Sequence, residues 1–443
     1  MQIGRSRLKP DDEARLVSLV PDLSIPIEDE DAVLDALMDQ VREARFVLLG
    51  EASHGTSEYY TWRARISQRL IVEKNFSFIA VEGDWPDCYQ VNRYIKGYPG
   101  AGDSAWEALQ AFQRWPIWMW ANWEVAALVE WLRQVNGSLS NPVGFYGLDV
   151  YSLWESMSSI VNYLEKTDPD TARLARQAYL CFEPYGEDEQ AYAWSTRLVP
   201  EDCEDEVVDL LLEMRRKGGR FDSDPESAFS AEQNALVMVN AERYYRAMVR
   251  TDQYSWNVRD THMSDTLDRL VDHHGPGSKA IVWAHNTHIG DARATDMAAA
   301  GMVNLGQLVR ERHSDEGVVL AGFGSQHGSV IAGREWGSPM ERMPVPDARP
   351  GSWEAILHRA GKRDCLLRFG RQITPPEFFT PRSHRAIGVV YNPERERLGN
   401  YVPSVLPSRY DAFLFFDETE ALHPFHLEPA GEARPPATYP WGL

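Results

Sequence analysis

Phe46-Val47-Leu48-Leu49-Gly50-Glu51-Ala52-Ser53-His54-Gly55 is the stretch on which the fold turns. Four apolar residues in succession read as a strand buried on both faces. The run stops at glycine and delivers a carboxylate and an imidazole inside a Gly-flanked turn. The pattern recurs at Lys279 to Val282, which closes on Trp283-Ala284-His285-Asn286-Thr287-His288. Open α/β sheets carry their chemistry at the carboxyl ends of strands. Two such ends, far apart in sequence, predict one composite site.

Working outward, Asp31 to Ala44 has helical spacing, with Val33, Leu34, Leu37 and Val41 apolar. Ser57 to Lys74 reads as a helix, and Phe76 to Val81 as a strand ending at Glu82-Gly83-Asp84. A tryptophan-rich helical stretch, Trp106 to Val135, leads to a third strand, Val143 to Leu148, which ends at Asp149. Such alternation predicts an α/β fold with a mainly parallel central sheet flanked by helices.

The pattern changes at Ser152. From there to His274 no strand is expected, and several helical patterns follow, one opened by the capping-box spelling Ser230-Ala231-Glu232-Gln233. Residues 152–274 read as a helical insertion over the strand ends. Strands resume at Ala280–Val282, Val318–Phe323 and Val330–Ile331, with further apolar runs at Cys365–Phe369, Ala386–Tyr391 and Ala412–Phe416. The Pro- and Gly-rich tail, Glu428 to Leu443, reads as irregular. With no internal repeat, residues 1–443 are expected to be one catalytic domain carrying that insertion.

The formal net charge of -21, from 45 basic and 66 acidic residues, argues against nucleic acid as a partner. Cys88, Cys181, Cys203 and Cys365 form no C-x-x-C pair, and their scatter predicts unpaired thiols in a reducing compartment. Met1 to Pro10 lacks an apolar signal-peptide core, and no apolar run is long enough to span a membrane, so a cytoplasmic protein is expected.

Several side chains are candidates for chemistry. His54 can take a proton near neutral pH, and Glu51 can orient its ring. Glu82, at the end of the next strand, is expected close to His54 because consecutive parallel strands commonly neighbour one another. His285 and His288 share a turn at another strand end. Arg63 and Arg259 each begin an otherwise apolar helical stripe, where a buried guanidinium requires an acid or an anionic ligand. The cluster Trp115, Trp118, Trp120, Trp123 and Trp131 reads as core, part of which can wall a cleft. There is no G-x-S-x-G elbow, no H-E-x-x-H helix and no Walker loop.

Gly50-Glu51-Ala52-Ser53-His54-Gly55-Thr56, Val81-Glu82-Gly83-Asp84, Ser255-Trp256-Asn257-Val258-Arg259-Asp260 and Ala284-His285-Asn286-Thr287-His288 together resemble the erythromycin esterase family and its succinoglycan biosynthesis-like hydrolases. Gly306-Gln307-Leu308 and Tyr410-Asp411-Ala412-Phe413 add to the likeness, which spans roughly Glu43 to Leu427. The resemblance implies a deep cleft and hydrolysis of a small-molecule ester, with macrolide lactones as the naming substrates and antibiotic resistance as the setting. It gives His54 the role of water-activating base and Glu82 that of the acid after the second strand. Glu51, Arg63, Arg259, His285 and His288 match the other polar site positions. The expected reaction needs no cofactor and forms no covalent intermediate. The arginines and His288 would offset charge on the tetrahedral oxygen, and His285 would protonate the leaving alkoxide. Two other uses of the cluster stay open: ligands to a divalent Zn²⁺ or Mn²⁺ in a metal-dependent hydrolase, and a noncatalytic small-molecule site.

Overall fold

The computed structural model describes residues 10–182, 184, 203–217, 224–248, 252–361, 363–370 and 372–426. The tail read as irregular lies outside them. The strands are β1 (Ser24–Pro26), β2 (Phe46–Leu49), β3 (Phe78–Val81), β4 (Gly144–Gly147), β5 (Ala280–Trp283), β6 (Val318–Gly333), β7 (Met340–Val345), β8 (Cys365–Arg368), β9 (Arg382–Arg385), β10 (Tyr401–Ser404) and β11 (Ala412–Thr419). The central sheet runs β1-β8-β11-β6-β2-β5-β3-β4, with β7 paired to β6, while β9 and β10 pair separately. From β11 to β4 every pairing is parallel, and the antiparallel partners sit around β8 and β7.

The helices before β4 are α1 (Pro10–Leu23), α2 (Glu30–Val41), α3 (Ser57–Lys74), α4 (Trp85–Lys96), α5 (Ala105–Leu109) and α6 (Trp123–Asn136). Next come α7 (Leu153–Thr167), α8 (Pro169–Phe182), α9 (Glu204–Lys217), α10 (Ser227–Met248) and α11 (Asp252–His274). After β5 come α12 (Asn286–Ile289), α13 (Leu305–Arg312) and α14 (Trp353–Gly361). No helix among the described residues is long and apolar enough to cross a membrane.

Alternation along the inner strands explains the layering. Val47, Leu49, Ile79, Val81, Ile281 and Trp283 pack with α2, α3 and α6 on one face. Phe46, Leu48, Phe78, Ala80, Ala280 and Val282 pack with Met263, Leu267 and Leu270 of α11 and Leu305 of α13 on the other. Successive side chains of a strand point to opposite faces, so a strand covered twice must be apolar throughout. Each fully buried aliphatic chain contributes about 1.5–3 kcal/mol. Helices α7, α8, α9 and α10 build a separate apolar cluster from residues such as Met157, Ile160, Ala175, Leu210 and Met238. Among the described residues, 152–274 is helical without a strand.

Five expectations are corrected. β5 lies between β2 and β3, so the strands ending in His54 and Glu82 are not neighbours. Trp106–Val135 is not continuous: Pro116, which has no amide hydrogen to continue a helix, precedes a 3₁₀ turn at Ile117–Met119. Asn122 then caps α6 by accepting from the Val125 N–H at 2.8 Å. Ser230 is not a cap, because α10 starts at Ser227; its buried hydroxyl accepts from Trp85 Nε1 at 3.1 Å. Ala386–Tyr391 is not a strand: Ile387 and Val390 make isolated bridges to Ser53 and Gly333. Cys181 and Cys203 are disulfide-bonded, because α8 brings Cys181 to the start of α9, leaving Cys88 and Cys365 as buried free thiols.

Candidate active site

Backbone hydrogen bonds lace the strand ends into one edge. Ala284 N donates to Leu49 O, Asn286 N to Glu51 O at 2.8 Å, Glu82 N to Trp283 O at 2.8 Å, and Asp149 N to Gly83 O at 3.0 Å. Four strands thus deliver Glu51, His285, Glu82 and Asp149 side by side. Gly50 is required by this closeness: a Cβ there would overlap the Asn286 side chain. Gly55 is required in the same way by the backbone of Ile331.

Glu51 is buried and divides its oxygens. Oε1 meets His54 Nδ1 at 2.9 Å, and Oε2 accepts from Arg63 Nη2 at 2.8 Å. A carboxylate at Nδ1 fixes the tautomer with hydrogen on that nitrogen, leaving the Nε2 lone pair for another partner. Arg63 is fully buried on α3, its guanidinium 4.2 Å from the Tyr60 ring centroid and 4.6 Å from that of Trp283. Two π faces and one carboxylate replace water around its charge.

A second network surrounds Arg259 of α11. Nε and Nη2 clasp Asp149 at 2.9 and 2.6 Å, and Nη2 also reaches Glu82 at 2.7 Å. Nη1 stands 3.1 Å from His288 Nε2, and the guanidinium lies 4.6 Å from the Tyr151 ring centroid. Burial pushes the Glu82 carboxyl up, but His288, Arg259 and His54 pull harder and hold it well below the usual range. Asp149 behaves alike: Arg259 outweighs its burial and its repulsion from Glu82. His288 is fixed through Nδ1 by Asp260 at 2.9 Å and stacks on Trp256 at 4.6 Å. Burial lowers its proton affinity, yet Asp260 and Glu82 raise it above the ordinary imidazole value.

His285 differs in charge. Its N–H donates to Glu82 Oε2 at 2.7 Å, while its ring lies 4.8 Å from that of His54. Burial and the neighbouring His54 lower its pKa well below the ordinary value, so the ring is neutral. Its Nδ1 meets the Thr287 hydroxyl at 2.8 Å and accepts from the Thr287 N–H at 3.3 Å, which makes His285 the N-cap of α12.

A cavity of about 110 Å³ opens at this edge. His54, Glu82 and Arg259 line it, with Asp84, Asp149, Arg114, Trp115, Trp120 and Tyr151. Glu51, Arg63, His285 and His288 do not reach it; they stand behind the lining residues as supports. The hollow containing both His54 and Glu82 is present, although the acid bonded to His54 is Glu51 and not Glu82. Among the described residues, no three His, Cys, Asp or Glu side chains converge as metal ligands, and Arg259 occupies the space between Glu82, Asp149 and His288. Sequence reasoning missed Asp149, Asp260 and the Asp84–Arg114 pair. Asp149 carried the same signal as Glu82, an acid closing an apolar run. Asp260 carried none, because adjacency to Arg259 says nothing about which acid meets which histidine.

The family model for erythromycin esterase matches residues 71–419. The protein described as "Putative hydrolase YbfO" of Bacillus subtilis (strain 168) is 17% identical over 392 residues, covering 84% of this chain and 83% of its own length. A crystal structure of a succinoglycan biosynthesis protein superposes with a TM-score of 0.76 at 20% identity, covering 94% of this chain and 100% of that one. A Bacillus cereus protein gives 0.76 at 18% identity, with coverages of 93% and 99%. A mutant of the erythromycin esterase EreC in its open conformation gives 0.64 at 16% identity, covering 89% and 95%. With that family model matching most of its length, the chain belongs to the erythromycin esterase family.

Proposed function

We propose that the chain hydrolyses a carboxylic ester or lactone with water activated by His54, without a metal and without an acyl-enzyme. Family membership supports a hydrolase, and the bond and mechanism are our reading of the site. The observation that carries it is the Arg63–Glu51–His54 relay ending at the cavity. Glu51 holds Nδ1–H, so Nε2 accepts the water proton while hydroxide attacks the carbonyl carbon. The imidazolium formed is stabilised by Glu51 and returns its proton to the departing alkoxide. His54 is better suited to that second transfer than His285, which is neutral and set behind the wall. Arg259 faces the cavity with its charge shared between Glu82 and Asp149, which orients it toward a developing oxyanion while limiting its net pull.

The test uses purified protein with aryl esters and lactones, with product masses read in ¹⁸O-water. Turnover should add one labelled oxygen to the acid product. His54→Asn should lower kcat by roughly 10²–10⁴-fold, the contribution of a general base, with thermal unfolding little changed. Undiminished turnover by that variant would remove His54 from the reaction.

A further inference from the structure

The catalytic cavity, at about 110 Å³, is smaller than the roughly 300–1,000 Å³ of a site that encloses a small-molecule ligand. A substrate of that kind must extend out of it. An adjoining groove of about 1000 Å³ shares Asp87, Arg114, Trp115, Tyr151 and Trp336 with the cavity, and these five form the passage between the two. Trp336 is the exposed member, with 62% of its surface open. It stands on the turn between β6 and β7, and that turn is braced. Ser338 Oγ accepts from Glu335 N at 3.1 Å and donates to Glu335 O at 2.9 Å, while Trp115 Nε1 donates to Ser338 O at 2.9 Å. One side of the Trp336 indole meets Trp115, with ring centroids 4.6 Å apart, and it meets no other ring among the described residues. A braced turn that holds an indole out of the core gives it a fixed open face, which is what a stacking platform needs. The passage also suits a neutral guest. Arg114 turns Nε and Nη2 to Asp84 at 2.9 and 2.7 Å. Burial, then Asp84 and Glu155, push the Asp87 carboxyl up to about 8 against the pull of Arg114, which leaves it mostly uncharged at pH 7.

Resting on the ester-hydrolase reading, we propose that Trp336 is a specificity-determining residue that stacks a neutral aromatic ring carried on one side of the substrate ester, while the shorter side enters the cavity. The site then selects aryl-bearing esters over saturated ones of similar size. An aromatic pair, beyond the area it buries, is worth about 2- to 12-fold in kcat/KM.

The experiment compares, in the full chain, 2-naphthylethyl acetate with its decahydronaphthyl counterpart, and methyl 2-naphthylacetate with its own, so that the ring is tried on the alcohol side and on the acyl side. In parallel, calorimetry measures binding of 2-naphthylethanol, a probe that needs no turnover. The expected results are a preference of about 2- to 12-fold for the naphthyl member of at least one pair and saturable binding of the probe. Trp336→Ala should bring that preference close to one and weaken probe binding, and Trp336→Phe, which keeps a ring, should restore most of both. Equal kcat/KM within both pairs overturns the assignment of Trp336 while leaving the hydrolase reading intact. A preference or a probe affinity that Trp336→Ala leaves unchanged also overturns it. Probe binding lost in Trp336→Ala and restored in Trp336→Phe, without turnover of any ester, keeps the platform and rejects the hydrolase reading.

Discussion

At the scale of single residues, the site is governed by how each buried charge is shared. Glu51 serves one cation and one imidazole, whereas Glu82 serves Arg259, the His285 amide and the field of His288. The depressed Glu82 carboxyl has a defined consequence for stability. A group whose folded pKa lies below its unfolded value stabilises the fold above the unfolded value, here 4.5. That contribution drains away as pH falls through the folded value. Glu82→Gln should therefore destabilise the protein at pH 7, by about 2–4 kcal/mol because Arg259 keeps Asp149 as a partner. The deficit relative to wild type should shrink as pH falls below about 4.5. Urea midpoints for both proteins at pH 7 and pH 3 check the sign. A pH-independent gap would mean that the carboxylate is not held ionised by these neighbours.

At the scale of elements, Asn286 is the joint between the β5 turn and β6. Its side chain donates to Phe323 O at 2.6 Å, accepts from Phe323 N at 3.2 Å, and meets His384 Nε2 at 3.3 Å. It is fully buried, so no water can replace those bonds. Asn286→Ala leaves two backbone groups of β6 unpaired, each costing about 1–3 kcal/mol. The expected outcome is a loss of about 2–5 kcal/mol in equilibrium unfolding, and a change below 0.5 kcal/mol would show that the joint is not needed. Much at this scale was legible in the sequence. Phe46–Leu49 and Ser57–Lys74 have their expected bounds, because a buried run ended by Gly50 and a helix entered from Thr56 are local signals. The order of strands was not legible: the choice of β5 rather than β3 beside β2 is made by packing across more than 200 residues. Ser230 spelled a cap yet lies inside α10, where Trp85 uses its hydroxyl. A local propensity yielded to a tertiary bond.

At the scale of the molecule, the candidate site was legible as a list of side chains but not as a division of labour. Apolar runs ending in acid or imidazole named Glu51, His54, Glu82 and His285, yet spacing alone did not show which face the cavity and which stand behind it. The same limit applied to the cysteines, whose 22-residue separation carries no signal until α8 and α9 pack together. Their pairing predicts a measurable stabilisation. A cross-link closing a loop of that length removes denatured-state entropy worth about 3 kcal/mol. The bond joins two helices of the α7–α10 cluster, whose buried residues are separate from those packed on the central sheet. Cys203→Ser should therefore loosen that cluster first, appearing as faster amide exchange in α8 and α9 before exchange rises in β2 and β5. Thiol titration of the denatured protein supplies the covalent check. Cys88 and Cys365 should react without reductant, and all four cysteines after reduction. Four reactive thiols before reduction would place the stability of the cluster in its apolar packing alone.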